Sequence, residues 1–221
     1  CSLKYDPVMK IKKILTPIDF SENSMNALKY AIDFAKGSGS EIYVLHLSDP
    51  DLLENDLKGN LSPEHLLELL KTDKMFEGIK VTTIHKKGNV SQGILKASQK
   101  HDIDLVVMGT LGAGGAVRKL VGTNTTAVVD KSQCSVLVIP SEAKFSPIKK
   151  VVLAVDLEHR ADKLIMEIVN TMKLQQASIL LAYVGIDENH QFERDLEKLT
   201  NSIKKSTDYK KVLCKVLHTN D

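Results

Sequence analysis

The sequence predicts an α/β fold built on a mostly parallel sheet with helices on both faces. Short apolar runs alternate with amphipathic stretches from Ile11 to Ile139, the pattern of successive βαβ units. The run Ile103 to Met108 is almost purely apolar, as a strand covered on both faces should be. The same order of elements restarts near Val151. Right-handed crossovers follow from such a pattern.

Each element has its own warrant. Ile11 to Ile18 reads as a strand, with Ile14, Leu15 and Ile18 apolar and Asp19 closing it. Ser21 to Lys36 reads as a helix: Ser21 is placed to cap it, and Met25, Leu28, Ala31, Ile32 and Ala35 fall at helical spacing. The stretch Lys36-Gly-Ser-Gly39 ends it. Glu41 to Leu47 is a second strand, and residues 49–63, with Pro50, Gly59 and Pro63, are a loop. Pro63 to Lys74 is a helix, Lys80 to His85 a third strand, and Val90 to Lys100 a helix with Val90, Ile94 and Ala97 on one face. After the fourth strand come a glycine-bearing loop, a short helix from Thr125 to Lys131 and a fifth strand from Ser135 to Ile139.

The second half repeats the first. Ile14 to Asp19 matches Val151 to Asp156 at an offset of 137, and Ile42 to Leu47 matches Ile179 to Val184 at the same offset. His85 and His218 end later strands at an offset of 133. A chance match of short apolar runs is the alternative; the constant offset favours duplication. The expected domains are residues 9–142, complete, and 146–221, an incomplete copy without its fourth strand, glycine loop and fifth strand. The chain is then either a fragment or part of a protein that continues for about 55 residues, the span from His85 to Pro140.

Composition excludes several classes. The chain has 221 residues, 43% of them hydrophobic, and a formal net charge of +2 from 30 basic and 28 acidic side chains. That balance gives no basic surface for nucleic acid, and 5% aromatics without tryptophan give no stacking platform. No apolar run approaches the ~18–20 residues that cross a bilayer. The opening CSLKYDPVMK is polar and charged, and Cys1, Cys134 and Cys214 are widely spaced. A cytoplasmic protein without a disulfide framework is expected. The seven histidines show no metal-ligand spacing, and no Ser-His-Asp set with a strained nucleophile turn stands out.

Chemistry concentrates in Gly109-Thr-Leu-Gly112, nine further residues, and Gly122-Thr123. A strand, a glycine loop and a helix start make a phosphate cradle: N–H groups at a helix N-terminus favour an anion, and glycine lets the main chain approach closely. The spacing is neither the P-loop nor the dinucleotide fingerprint.

Together with Pro17-Ile-Asp19-Phe-Ser21, the string Met108-Gly109-x2-Gly112-x9-Gly122-Thr123 resembles the ATP-binding branch of the universal stress protein family, marked by G-x2-G-x9-G-[ST]. The resemblance covers Met9 to about Ser141, with Phe145 to Asp221 as an incomplete second copy. It implies a five-stranded parallel sheet of order 3-2-1-4-5. Strand order then reverses between strands 1 and 4, where such sheets bind ligands, with Asp19 and Gly109 side by side.

The resemblance also implies roles, each with a plainer alternative. Asp19 would accept from a ribose hydroxyl or the adenine edge; otherwise it is a turn or cap residue. Gly109 and Gly112 would wrap ribose and phosphates, or form a plain turn. Gly122, Thr123 and Asn124 would hold phosphate at the helix start, with Thr123 also able to cap it. Pro17, Leu47 and Met108 would wall the adenine, or simply pack. Arg118 and Lys119 would screen phosphate charge, or face solvent.

The expected function is a stress-response regulator that binds ATP with Mg²⁺ and signals through conformation or dimerisation. No dedicated base for hydrolysis stands out, so an enzyme is not expected. The alternatives are a dimeric interaction module with a vestigial phosphate loop and a slow ATP hydrolase. AMP or another adenine nucleotide fits the same residues. An apolar fifth strand at the sheet edge is a pairing template, and the resemblance implies a homodimer through Val136 to Ile139. A regulatory protein partner is expected, without nucleic acid or membrane.

Overall fold

A computed structural model describes residues 11–48, 62–110, 122–157, 159, 162–185 and 191–217. The chain divides into two compact units, one over Ile11–Pro147 and one built on Ile148 onward.

In the first unit, β1 (Lys13–Ile18), β2 (Glu41–Ser48), β3 (Val81–Lys87), β4 (Leu105–Gly109) and β5 (Ser135–Ile139) form one parallel sheet. Its order is β3-β2-β1-β4-β5. The helices are α1 (Glu22–Ser38), α2 (Pro63–Lys71), α3 (Val90–Lys100) and α4 (Thr123–Lys131).

Local chemistry sets the helix ends. Ser21 caps α1 by accepting the Ser24 N–H at 3.3 Å. The helix runs on to Ser38 because the left-handed residue that stops it is Gly39, at φ 70°, whose N–H reaches the Ala35 carbonyl at 2.8 Å. The next helix stops at Lys71, short of the expected Lys74, because Asp73 caps a new 3₁₀ turn over Lys74–Phe76, accepting the Met75 N–H at 2.8 Å. Strand β4 begins at Leu105 rather than Ile103: the Asp104 carboxylate there accepts the Lys12 and Lys13 N–H groups at 2.8 and 3.0 Å.

Strand alternation builds a core on each face. Leu15, Leu45, Val106 and Met108 pack against Ile94 and Ala97 of α3 and Val128 of α4. Ile14, Ile42 and Val44 are buried on the other face, where α1 lies across β1, β2 and β4. Burying each such side chain contributes about 1.5–3 kcal/mol. Beyond β5 the chain is fastened to α1: Asn26 Nδ2 donates to the Ala143 carbonyl at 2.6 Å, and Tyr30 donates to the Lys144 carbonyl at 3.2 Å. Cys134 is half-buried against the core beneath α3 and α4, beside Ser132, whose hydroxyl donates to the Cys134 carbonyl at 3.0 Å.

The second unit comprises β6 (Lys150–Ala154), α5 (Asp162–Leu174), β7 (Ser178–Val184), α6 (Gln191–Thr207) and β8 (Val212–Leu217). Its parallel sheet has the order β6-β7-β8. Lys13 pairs with Glu41 and Lys150 with Ser178, so the first two strands keep the offset of 137 in register. The third strand corrects the histidine match. His46 pairs with His85, and Tyr183, at the place of His46, pairs with Val216; the equivalent of His85 is therefore Val216, not His218.

Candidate functional site

The switch in strand order leaves an opening at the carboxyl ends of β1 and β4. These strands pair only at Ile14↔Leu105 and Leu15↔Val106, although they run on to Ile18 and Gly109. Their outer ladders continue, to Ile18↔His46 and Gly109↔Ile139. Pro17, which has no N–H to give a neighbour, stands in the part of β1 that β4 no longer pairs.

Two buried hydroxyls mark this region. Thr16 is fully buried one residue past the last β1–β4 pair, and Thr110, 4% exposed, is the first residue after β4. Neither Oγ1 has a hydrogen-bond partner, and a buried polar group without one is a signal for a water or a ligand.

The two described ends of the glycine motif converge here. The Gly122 N–H donates to the Thr110 carbonyl at 2.7 Å, and Thr125 Oγ1 donates to the Gly109 carbonyl at 3.0 Å. Gly122 is itself the N-cap of α4, with φ −72° and ψ 157°, and among the described residues no side chain caps the helix. Thr123 is the first helical residue and Asn124 the second, which corrects the expectation that Thr123 caps. A glycine N-cap offers no side-chain oxygen, so the first-turn N–H groups that point out of the helix keep their positive end for another acceptor. Gly112, Arg118 and Lys119 lie outside the described residues.

Asp19 follows β1 and makes the turn into α1: its Oδ1 accepts the Ser21 N–H at 3.0 Å, and its own N–H donates to Ser24 Oγ at 3.3 Å. The plainer role is therefore present. Phe20 holds φ 60°, rare for a bulky residue. Its ring lies 5.1 Å from that of His46, whose Nδ1 is 2.9 Å from the Ile18 carbonyl.

The three apolar candidates differ. Met108 is buried in the core under α3 and α4, whereas Leu47 is partly buried against that core and Pro17 is half-buried. Leu47 fits because α3 carries Gly93 opposite it: a methyl built on Gly93 would stand 2.5 Å from Leu47 Cδ2.

A second polar group was invisible in the sequence. Ser48, His85 and Glu64 meet where β2, β3 and α2 come together. Elsewhere, an open depression of about 560 Å³ is lined by Lys71, Asp73, Phe76 and Val81 at the amino end of β3, away from the β1–β4 opening.

The family model described as the universal stress protein family matches residues 10–140. The chain belongs to the universal stress protein family. Its curated relatives include the universal stress protein MJ0531 of Methanocaldococcus jannaschii, 34% identical over 144 residues, which are 60% of this chain and 84% of that protein. Universal stress protein MJ0577 of the same organism is 30% identical over 152 residues, 58% of this chain and 94% of the relative. The solved structure of MJ0577 aligns with a TM-score of 0.52 at 31% identity, covering 61% of this chain and 99% of that one. A universal stress protein structure from Archaeoglobus fulgidus covers 96% of this chain and 78% of its own, with a TM-score of 0.68; at 22% identity it speaks to the fold alone. Among the described residues, no helix is long and apolar enough to cross a membrane.

Proposed function

We propose that residues 9–142 form a nucleotide-binding domain that takes ATP, with Mg²⁺, at the β1–β4 opening, and that residues 146–221 are an incomplete copy of the same unit. Gly122, Thr123 and Asn124 present the uncapped start of α4 to the phosphates; Gly109 and Gly112 let the loop close on them. Asp19 accepts from the ribose or the adenine edge, and Pro17, Leu47 and Met108 wall the base. The observation that carries the reading is the glycine-capped start of α4, held 2.7 Å from the end of β4 with no side-chain cap. The orphaned Thr16 and Thr110 hydroxyls support it.

Among the described residues no cluster of three His, Cys, Asp or Glu side chains is placed to hold a metal. In this reading Mg²⁺ arrives on the triphosphate, as it commonly does. The protein is a stress-response regulator in this reading: nucleotide binding stabilises the folded domain by mass action and biases its association. Association runs through β5, the edge strand of the sheet, as a homodimer through Val136 to Ile139.

Isothermal titration of Mg-ATP into nucleotide-stripped protein tests the site, with Gly122→Val in parallel. Micromolar binding, about −8 kcal/mol, should be lost in the variant. No binding by either protein would sink the nucleotide reading and leave the interaction module, in which Asp19 and the glycines serve only turns. Sedimentation equilibrium tests the dimer; a monomer at micromolar concentration counts against it.

A further inference from the structure

Three side chains distant in sequence make a relay on the α1–α2 side of the sheet. Ser48 ends β2, His85 lies near the end of β3, and Glu64 sits in the first turn of α2. Ser48 Oγ is 2.5 Å from His85 Nε2, and Glu64 Oε1 holds the other ring nitrogen, Nδ1. The His85 side chain is only 13% exposed, while Glu64 opens to solvent. The ring is fixed from behind as well: His46 stacks on it with centroids 5.6 Å apart. The main chain of Ser48 is pinned by the Gly88 N–H, which donates to its carbonyl at 3.0 Å.

The proton positions follow from the partners. The Glu64 carboxyl is held below its ordinary 4.5, first by its own backbone N–H and then by His85. As a carboxylate it can only accept, so Nδ1 of a neutral His85 carries the proton. Nε2 then turns its lone pair to the Ser48 hydroxyl. A nucleophile bonded to a base that is oriented by a third group is the signature of an activated hydroxyl.

We propose that Ser48 is an acyl-accepting nucleophile, with His85 as its general base and Glu64 as the positioning residue. Ser48 Oγ attacks the carbonyl carbon of an ester; the Oγ–C bond forms and the bond to the leaving oxygen breaks. The Ser48 proton passes to His85 Nε2 and on to the leaving oxygen. Water, deprotonated by the same nitrogen, then releases the acid and restores Ser48. The relay supplies nucleophile and base, so its substrates are small esters with a good leaving group, such as aryl acetates.

This site is separate from the proposed nucleotide site. Successive strand side chains face opposite ways: Leu47 packs on the α3 side, and Ser48 bonds to His85 on the other.

The test uses the full chain with p-nitrophenyl acetate, following nitrophenol release and locating the acetyl group by peptide mass spectrometry. The expected result is acetyl-Ser48, absent in Ser48→Ala. His85→Gln should slow acylation about 100-fold or more. Glu64→Gln should slow it at an unchanged melting temperature, with Glu64→Asp restoring part of the rate. The assay runs on nucleotide-stripped protein without ATP, so failure of this proposal and failure of the nucleotide reading are told apart. Acetyl groups confined to lysines, or nitrophenol release unchanged in Ser48→Ala, would overturn the proposal. So would acylation of Ser48 that ignores His85. Ser48→Ala removes one atom and leaves the His85–Glu64 pair in place, so this comparison stands even if His85→Gln fails to fold.

Discussion

Gly93 should be a glycine for the sake of Leu47, not of its own backbone. It sits inside α3, where alanine would normally add about 0.8–1.0 kcal/mol of helix stability. Here the added methyl would stand 2.5 and 2.7 Å from the two Leu47 methyl carbons, far inside contact distance. Forcing a group into a packed site costs about 1–3 kcal/mol. Leu47 is packed against the core, and its Cγ also stands 3.2 Å away, so turning the tip alone does not clear the methyl; the overpacking term then exceeds the propensity gain, and Gly93→Ala should destabilise by about 1 kcal/mol. In a Leu47→Ala background the obstacle is gone, and the same substitution should stabilise by about 1 kcal/mol. The double-mutant cycle should therefore show a coupling of about 2 kcal/mol. Urea unfolding of the four proteins at a common slope measures it. If Gly93→Ala stabilises equally in both backgrounds, to within about 0.5 kcal/mol, Leu47 is not what excludes a side chain there.

Two polar contacts carry the other expected outcomes. Tyr209 donates to the Ala177 carbonyl at 2.6 Å in the core of the second unit; Tyr209→Phe leaves that carbonyl unpaired and should cost about 1–2 kcal/mol in urea unfolding. Burial also raises the Tyr209 phenol above its usual 10.0. Folding favours the protonated form, so that contribution is complete below about pH 10 and fades as pH rises, a slope that Tyr209→Phe should lack. On the surface, the Lys80 hydrogen bond at 3.0 Å holds the Glu41 carboxyl below 4.5. A lowered folded-state value means stability present above 4.5 and lost on acidification. The melting-temperature gap between wild type and Glu41→Gln should therefore be small at neutral pH, shrink in molar salt and close as the pH falls below 4.5. A gap that persists in acid would refute the assignment.

The fold was legible because its signals are local. Val90 to Lys100 and Ser135 to Ile139 occur with the bounds their patterns imply. Asn89, whose side chain accepts the Gln92 N–H at 3.1 Å, marks the first of these starts. Two bounds slipped where a side chain replaced a backbone partner, as Asp73 does after Lys71 and Asp104 does before β4; the end of α1 slipped through the backbone of Gly39 instead. Hydropathy does not register such a replacement. The glycine motif was legible because its spacing is written along the chain. The Ser48–His85–Glu64 relay was not: its members stand 37 and 21 residues apart, and their meeting depends on the β2–β3 register. Matching His85 to His218 by residue type failed for the same reason, since register pairs by position in the sheet and puts Val216 there.

The two ends of the first sheet differ in a way that bears on where a ligand belongs. At the amino end polar groups are tied off. Asp104 takes the Lys12 and Lys13 N–H groups, and the Ser40 hydroxyl donates to the Ile11 carbonyl at 2.7 Å and meets Ser38 at 2.5 Å. At the carboxyl end several local rules are broken together. Phe20, a bulky residue, holds a positive φ, whereas the positive φ at the amino end falls on Asp102, a residue type that tolerates it, and Pro17 lies in a central strand. The β1–β4 ladder stops early, and Thr16 and Thr110 bury unpaired hydroxyls. A strained residue costs about 1–3 kcal/mol, and an unsatisfied buried hydroxyl costs about the same. Random imperfection would scatter such costs over both ends. Their concentration at the switch point, beside a helix start that no side chain caps, is what a fold tolerates when that end is shaped for something other than its own stability.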